Sequence, residues 1–314
     1  MQNEACDPDQ QRTKNIYTGI GLAVLATLLW SGNFIIAKGV TSSINPVSLS
    51  FYRWLIASII ILPFAIRQFI SQWPAVRASW QYLFWASLTG VAFFNTFVYI
   101  GAHYTSAINL ALIGTTSSPI MSVAFARIFL KERIGTLKMA GMILCAIGVL
   151  FLLSKGSFQN LLHLHFGTGD LWVLLAAFSF AVYNTLVKKK PAAISPVNFL
   201  FTSFSFGTLM MLPFFLCELN NSAPVQWTNN LVFSILYLGI VASVVCFLIW
   251  NTAINKIGAG RTALFGNLIP VFASIEAAFI LGEDFTLIHT TGMCIVFAGI
   301  LLANLRQPGS VAVK

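Results

Sequence analysis

The sequence predicts an all-α integral membrane protein with ten transmembrane helices in two inverted five-helix repeats. Three observations lead to this fold class: a scarcity of charge, ten long apolar runs, and an internal repeat. Of the 314 residues, 57% are hydrophobic and only 9% are charged, whereas a soluble domain carries about 25% charged residues. A soluble protein of this size could not cover its surface with so few charges, so we expect the chain to lie in a membrane.

Ten apolar runs are long enough to cross a bilayer as helices, which takes about 17–25 residues. In chain order they are approximately Ile16–Ala37, Val47–Ile66, Gln81–Gly101, Ile108–Leu130, Lys138–Leu153, Gly169–Val187, Val197–Leu216, Asn230–Trp250, Thr262–Leu281 and Ile288–Leu305. The uncharged stretch from Ala78 to Ala126 is too long for one helix and is divided near residues 102–107. A β-barrel would need short segments of alternating polarity, and these runs are continuously apolar.

The positive charges predict that both termini lie in the cytoplasm. With the N-terminus inside, all of the 18 Lys and Arg residues except Lys38, Arg53 and Lys155 fall in cytoplasmic loops or at cytoplasmic helix ends. This bias follows the positive-inside rule, so the net charge of +9 reflects topology and does not indicate a nucleic-acid partner. The expected location is the cytoplasmic (inner) membrane, with cytoplasmic tails at residues 1–15 and 306–314.

The chain repeats itself at an offset of about 150 residues. Pro46 aligns with Pro196 at an offset of 150, and Pro119 aligns with Pro270 at an offset of 151. The two repeats and the outer linker between them are assigned to residues 16–153, 169–305 and 154–168. Because five spans is an odd number, the second repeat must enter the membrane upside down relative to the first. Inverted repeats are typical of transporters whose halves move around a shared midplane site.

Short motifs within this arrangement resemble the drug/metabolite transporter superfamily, and within it the bacterial EamA-like transporters. They are Leu29-Trp30-Ser31-Gly32-Asn33-Phe34, Tyr52-Arg53, and the helix ends Leu130-Lys131-Glu132-Arg133 and Leu281-Gly282-Glu283 that follow Pro119 and Pro270. The resemblance covers about residues 16–305. It implies secondary transport of small metabolites, commonly amino acids and related solutes and often outward. It also implies a cavity built largely from the first, third, fourth, sixth, eighth and ninth helices, with Arg53 as a structural anchor.

Two ionisable residues inside the spans are candidates for gating or coupling. Arg53 and Glu276 both lie roughly 10 Å below the outer surface at 1.5 Å of rise per residue. At matched depth the two side chains could pair, form part of an outer gate, or hold a zwitterion. Glu276 is also a candidate for substrate or proton binding, because a carboxylate in a medium of low dielectric constant can take up a proton.

A set of aromatic and amide side chains is expected to line the substrate site. These residues are Trp30, Asn33, Tyr99, Tyr183, Asn184, Trp250 and Asn251. Aromatic surface with a few polar groups is the usual composition of a small-solute site. The alternatives are amides that bridge helices and aromatic rings of the interfacial belt. Pro119 and Pro270 are expected hinges, since a proline in mid-span frees a backbone carbonyl; a simple kink is the alternative.

The predicted function is a secondary transporter that exports an amino acid, amine or related solute by alternating access, with protons as the candidate coupling ion. The sequence contains no P-loop motif, so it does not indicate ATP-driven transport. No enzyme activity, catalytic residue, cofactor or metal site is predicted, and His163 and His165 form only a weak metal pair. The alternatives are a lipid-carrier flippase, an intramembrane enzyme, or a receptor without net transport. The expected partners are the small solute, the lipid bilayer and protons, with the protein a monomer or homodimer.

Overall fold

The computed structural model describes residues 8–304, except residues 41, 105–106, 130, 132–134, 155, 158, 161–166, 223 and 282–286. Its α-helices are α1 (Pro8–Val40), α2 (Pro46–Ser71), α3 (Trp73–Ala78), α4 (Trp80–Ser87), α5 (Phe94–Tyr104), α6 (Ala107–Phe129), α7 (Thr136–Leu153), α8 (Thr168–Lys188), α9 (Pro196–Asn221), α10 (Asn229–Leu236), α11 (Cys246–Ile257), α12 (Ala259–Phe265), α13 (Ile269–Leu281) and α14 (Leu287–Asn304). The π-helical segments Leu88–Phe93 and Tyr237–Val245 join α4 to α5 and α10 to α11. The described residues contain no β-strand.

The all-helical, membrane-embedded character expected from the sequence is confirmed. Within the described residues, six helical stretches are long and apolar enough to cross a membrane: Thr13–Asn33, Pro46–Ser71, Trp80–Tyr104, Thr168–Lys188, Pro196–Asn221 and Asn229–Ile257. Shorter apolar helices cover Ile120–Phe129, Thr136–Gly148 and Thr290–Ala303. Each predicted apolar run overlaps a helix, whereas the division into ten spans and the orientation of the termini stay predictions.

Several helices extend beyond the predicted runs, and the first and ninth runs show the clearest differences from the sequence interpretation. In the described part of the chain, helix α1 already includes Pro8, well before the predicted first span, and no proline lies between Pro8 and Pro46 to interrupt it. The ninth predicted run is interrupted by a 3₁₀ turn at Gly266–Leu268. Pro270 follows this turn, and it lacks the N–H that would bond to the Gly266 carbonyl. Pro119, its repeat mate, lies within the uninterrupted helix α6.

The helices pack in matched pairs. Helix α1 packs on α11 as α8 packs on α5, and α1 packs on α13 as α8 packs on α6. Helix α2 packs on α9, and α7 packs on α14. Exchanging the first half of the chain with the second therefore turns the two contacts of α1 into the two contacts of α8, and it turns the α2–α9 and α7–α14 contacts into themselves.

Helices α2 and α9 cap each other's N-termini. The Glu218 carboxylate, near the end of α9, accepts hydrogen bonds from the backbone N–H and the hydroxyl of Ser48, both at 2.6 Å. At the other end of the pair, the backbone N–H of Ser195 donates to Gln72 Oε1 at 2.9 Å, and the Ser195 hydroxyl donates to Gln68 Oε1. The first N–H groups of a helix have no partner within that helix, so these side chains satisfy donors that would be costly to leave unpaired in a bilayer.

Glycines bring the backbones of α7 and α14 into direct contact. A Cβ atom on Gly141 would lie 2.5 Å from both the backbone nitrogen of Ala303 and the carbonyl oxygen of Gly299. A Cβ atom on Gly299 would lie 2.8 Å from the carbonyl oxygen of Gly141. Small residues on one face allow this close approach, and here they serve packing within the chain.

The Gly141→Ala variant is expected to lose about 1–3 kcal/mol of stability, because the added methyl group overpacks a backbone contact. Gly21→Ala is the matched control, since nothing lies within 4 Å of a Cβ atom at that helical position. Thermal unfolding of the two purified variants in detergent measures the difference. Equal melting temperatures for Gly141→Ala and the unmodified protein would contradict the packing described for α7 and α14.

Candidate functional site

A cavity lies where helices from the two halves of the chain meet. Its lining comes from α1, α2, α5, α6, α8, α11, α12 and α13 and from the 3₁₀ turn before α13. The space open to the centres of water molecules is about 60 Å³. The lining is mostly aromatic and small apolar surface, interrupted by the amides Asn33, Asn95 and Asn184, by Ser118 and by Arg53. This is the composition of a small-molecule site.

Four aromatic rings form one wall of the cavity. The Trp30 ring centroid lies 4.9 Å from that of Trp250 and 5.8 Å from that of Phe180. Phe94 stacks on Phe180 with a centroid distance of 4.4 Å. The indole N–H of Trp30 donates to the carbonyl oxygen of Ala242 at 2.8 Å, which fixes the orientation of the ring.

Arg53 enters this site from α2 and is only 1% exposed. Its hydrogen-bond partners are five uncharged oxygen atoms. Nε donates to Ser243 Oγ at 2.6 Å, and Nη2 donates to the Ala242 carbonyl oxygen at 3.1 Å. Nη1 donates to Asn33 Oδ1 at 2.8 Å, to Asn95 Oδ1 at 2.7 Å and to Tyr99 Oη at 2.8 Å. The Trp54 ring centroid lies 5.0 Å from the guanidinium carbon. The guanidinium is thus solvated by the protein, but no carboxylate within the described structure neutralises it.

Part of this solvation comes from a π-helical segment. Ala242 lies within Tyr237–Val245, and its carbonyl oxygen accepts hydrogen bonds from both Trp30 and Arg53. The Ser243 hydroxyl donates to the carbonyl of Leu238, five residues earlier, at 2.7 Å. Single π-helical turns occur frequently at functional sites, and here the segment supplies acceptors to the side chains around the cavity.

Glu276 is held by a different residue of α1. The Ser31 hydroxyl donates to Glu276 Oε1 at 2.5 Å, and Oε2 is buried without a hydrogen-bond partner. Arg53 and Glu276 do not form an ion pair in the described structure, so the pairing considered from their matched depth is not realised. Their roles in gating, coupling or zwitterion binding stay predictions.

Only part of the predicted substrate set borders the cavity. Trp30, Asn33, Asn184 and Trp250 are lining residues, whereas Tyr99, Tyr183 and Asn251 are not. Tyr183 precedes Asn184 and Asn251 follows Trp250, and successive residues of a helix are rotated by about 100° around its axis. The members of each pair therefore face different neighbours, and only one member of each borders the cavity. Which of the seven residues contact the solute stays a prediction.

The three residues outside the lining make hydrogen bonds within the protein. Tyr99 accepts a hydrogen bond from Arg53, and Asn251 Nδ2 donates to Tyr183 Oη at 3.0 Å. Asn184 also bridges helices, because its oxygen accepts from the Trp250 indole N–H at 3.0 Å.

Several lining residues were not predicted from the sequence. Asn95 precedes Tyr99 by one helical turn and so shares its face, and Phe180 is the repeat mate of Trp30 at an offset of 150. Both relations could have been found in the sequence. The π-helical segments left no signal that could be separated from the surrounding apolar run.

Long apolar helices that enclose a cavity with a few polar groups define a multi-pass membrane protein with a candidate small-molecule site. The sequence model of the EamA-like transporter family matches residues 17–154 and again residues 167–305. The chain therefore belongs to the EamA-like transporter family, which confirms the resemblance seen in its motifs.

Curated relatives agree with this assignment. The chain is 27% identical over 290 residues to an uncharacterized transporter of Archaeoglobus fulgidus, covering 91% of this chain and 97% of the relative. It is 26% identical over 294 residues to a probable amino-acid metabolite efflux pump of Salmonella typhimurium, covering 90% and 93%. A protein of known crystal structure shares the fold, with a TM-score of 0.73, 16% identity, and coverage of 93% of this chain and 96% of that chain.

The Arg53→Lys variant is expected to unfold at a markedly lower temperature. A lysine ammonium is a compact point charge that cannot replace the planar fork of the guanidinium, and each buried acceptor left unpaired costs about 1–3 kcal/mol. Arg67→Lys, at an exposed position of the same helix, is the matched control and should leave the melting temperature unchanged. If Arg53→Lys has the same melting temperature as the unmodified protein, the network does not hold the helices in place.

Proposed function

We propose that this protein is a secondary transporter that moves a small metabolite across the membrane by alternating access, in the outward direction. The observation that carries the proposal is the cavity, which is bounded by helices from both halves of the chain. Movement of one half against the other would change which side of the membrane the cavity faces. The relative named as an amino-acid metabolite efflux pump supports amino acids and related compounds as the substrate class and export as the direction.

The proposal includes ten spans in two inverted repeats, at residues 16–153 and 169–305, with both termini in the cytoplasm. The matched helix pairs support it, because each contact has a counterpart when the halves are exchanged. The separate match of the family model to each half supports it as well. A pseudo-symmetric pair of halves offers two equivalent packings of the same interfaces, one open to each side.

Pro270 and Pro119 are proposed as hinges in this movement. The 3₁₀ turn before Pro270 contains Gly266, and both Gly266 and the adjacent Ile269 border the cavity. Bending at this turn would change the shape of the cavity directly. Kinks that free backbone carbonyls at membrane depth are typical of transporter sites.

Glu276 is proposed as the coupling residue. Its Oε1 atom accepts a hydrogen bond from Ser31 on α1, and its Oε2 atom has no hydrogen-bond partner. A proton bound to this carboxylate would add a donor between α13 and α1 and remove a negative charge. Protonation would therefore alter the contact between two helices that both border the cavity.

Transport is tested with proteoliposomes loaded with a panel of amino acids, amines and lipids, with and without a pH gradient. We expect efflux of a subset of the amino-acid-like solutes, and we expect Trp250→Leu to reduce that efflux about tenfold by removing aromatic contact area. Trp80→Leu, whose ring is exposed on the outer surface of α4, is the matched control. No flux of any solute under any gradient would count against transport.

Coupling is tested with the Glu276→Gln variant, which removes the titrating group and keeps an acceptor for Ser31. It should retain solute exchange at equilibrium and lose acceleration by a pH gradient. Glu218→Gln is the control carboxylate, because it caps α2 away from the cavity. Proton coupling through Glu276 is excluded if Glu276→Gln still responds to the gradient.

A further inference from the structure

The wall of the cavity around Arg53 contains hydrogen-bond donors without acceptors. Arginine can only donate, so Asn33 and Asn95 must both turn their amide oxygens toward it and their NH₂ groups away from it. The Nδ2 atom of Asn95, a residue only 1% exposed, is buried without a hydrogen-bond partner. The Nη2 atom of Arg53 donates one of its two hydrogens, to the Ala242 carbonyl. Two neighbouring side chains that border the cavity therefore each retain donor capacity.

The charge at this wall is also unbalanced. The lining contains one cationic side chain, Arg53, and no carboxylate among the described residues. Glu276 is bound by Ser31 on α1 and does not belong to the lining. A buried cation surrounded only by neutral oxygens attracts an anion strongly, because the surrounding dielectric constant is low.

We infer that the site binds a carboxylate, with Arg53 and Asn95 as the groups that recognise it. The two oxygens of a carboxylate match a pair of neighbouring N–H donors, and its charge balances that of the guanidinium. The apolar part of the solute packs against the aromatic wall formed by Trp30, Phe94, Phe180 and Trp250. Of the solutes in the proposed class, acids and amino acids are then accepted, and amines that lack a carboxylate are rejected.

The inference rests on the proposed function where it concerns transport. Binding of a carboxylate is tested separately and does not depend on transport. Four compounds with one branched apolar skeleton serve as probes: 4-methylpentanoate, leucine, 3-methylbutylamine and 4-methylpentanamide. Binding to the purified protein in nanodiscs is followed by the change in tryptophan fluorescence, to which Trp30 and Trp250 of the cavity wall contribute. Efflux from loaded proteoliposomes is measured in parallel. The acid and the amino acid should bind at least about tenfold more tightly than the amine and the amide.

The Asn95→Asp variant tests the residues. It places a fixed carboxylate beside Arg53 and removes a donor with almost no change in side-chain volume, so binding of 4-methylpentanoate should weaken at least about tenfold. Asn33→Asp makes the same substitution on α1 and replaces Asn95→Asp if the latter is not monodisperse. Asn198→Asp is the control, a buried amide at the start of α9 bound to Gln72, and should keep the preference for carboxylates.

The outcomes separate this inference from the proposed function. Efflux of the amine in preference to the acid, or unchanged acid binding in Asn95→Asp, overturns the inference and leaves transport intact. Carboxylate-selective binding without flux of any compound supports the inference and counts against transport. If none of the four probes binds and none is transported, the result counts against both the inference and the proposed function.

Discussion

The buried guanidinium of Arg53 holds the centre of this protein together. One side chain on α2 donates hydrogen bonds to oxygens on α1, on α5 and on the π-helical segment before α11. In a bilayer each of these groups would be costly to leave unpaired, so the helices are constrained to surround the cation. The Ala242 carbonyl accepts from Trp30 as well as from Arg53, and this shared acceptor ties the aromatic wall to the same centre.

The roles of anchor and binding group need not be alternatives for Arg53. Its partners satisfy most of its hydrogens but, being neutral, leave its charge uncompensated. Helix α1 lies between this cation and Glu276, since Asn33 contacts one and Ser31 contacts the other. Helix α1 is therefore the element that contacts both of these ionisable side chains, and its position is sensitive to the state of each.

Much of the fold was predictable, while the site was predictable only in part. The bilayer requires apolar helices of a set length, so the run Gln81–Gly101 could be placed without knowledge of its neighbours. The family resemblance implied a cavity built largely from six helices, and the cavity is lined by those helices and also by α2, which contributes Arg53. The face that each helix turns toward the cavity could not be predicted, because Tyr183 and Asn184 are adjacent in sequence and only packing decides which of them borders the cavity. Asn95 was missed although it lies one helical turn before Tyr99.

By itself the sequence determined that the chain is a helical membrane protein, approximately where its helices lie, and which few charges fall inside them. These are local properties, because apolar length and the cost of a buried charge can be evaluated one segment at a time. Tertiary structure alone decided how the charges are satisfied. Arg53 finds Ser243 across 190 residues of chain, and Glu276 finds Ser31 across 245. Such partners depend on the relative rotation and depth of packed helices, which no single helix specifies.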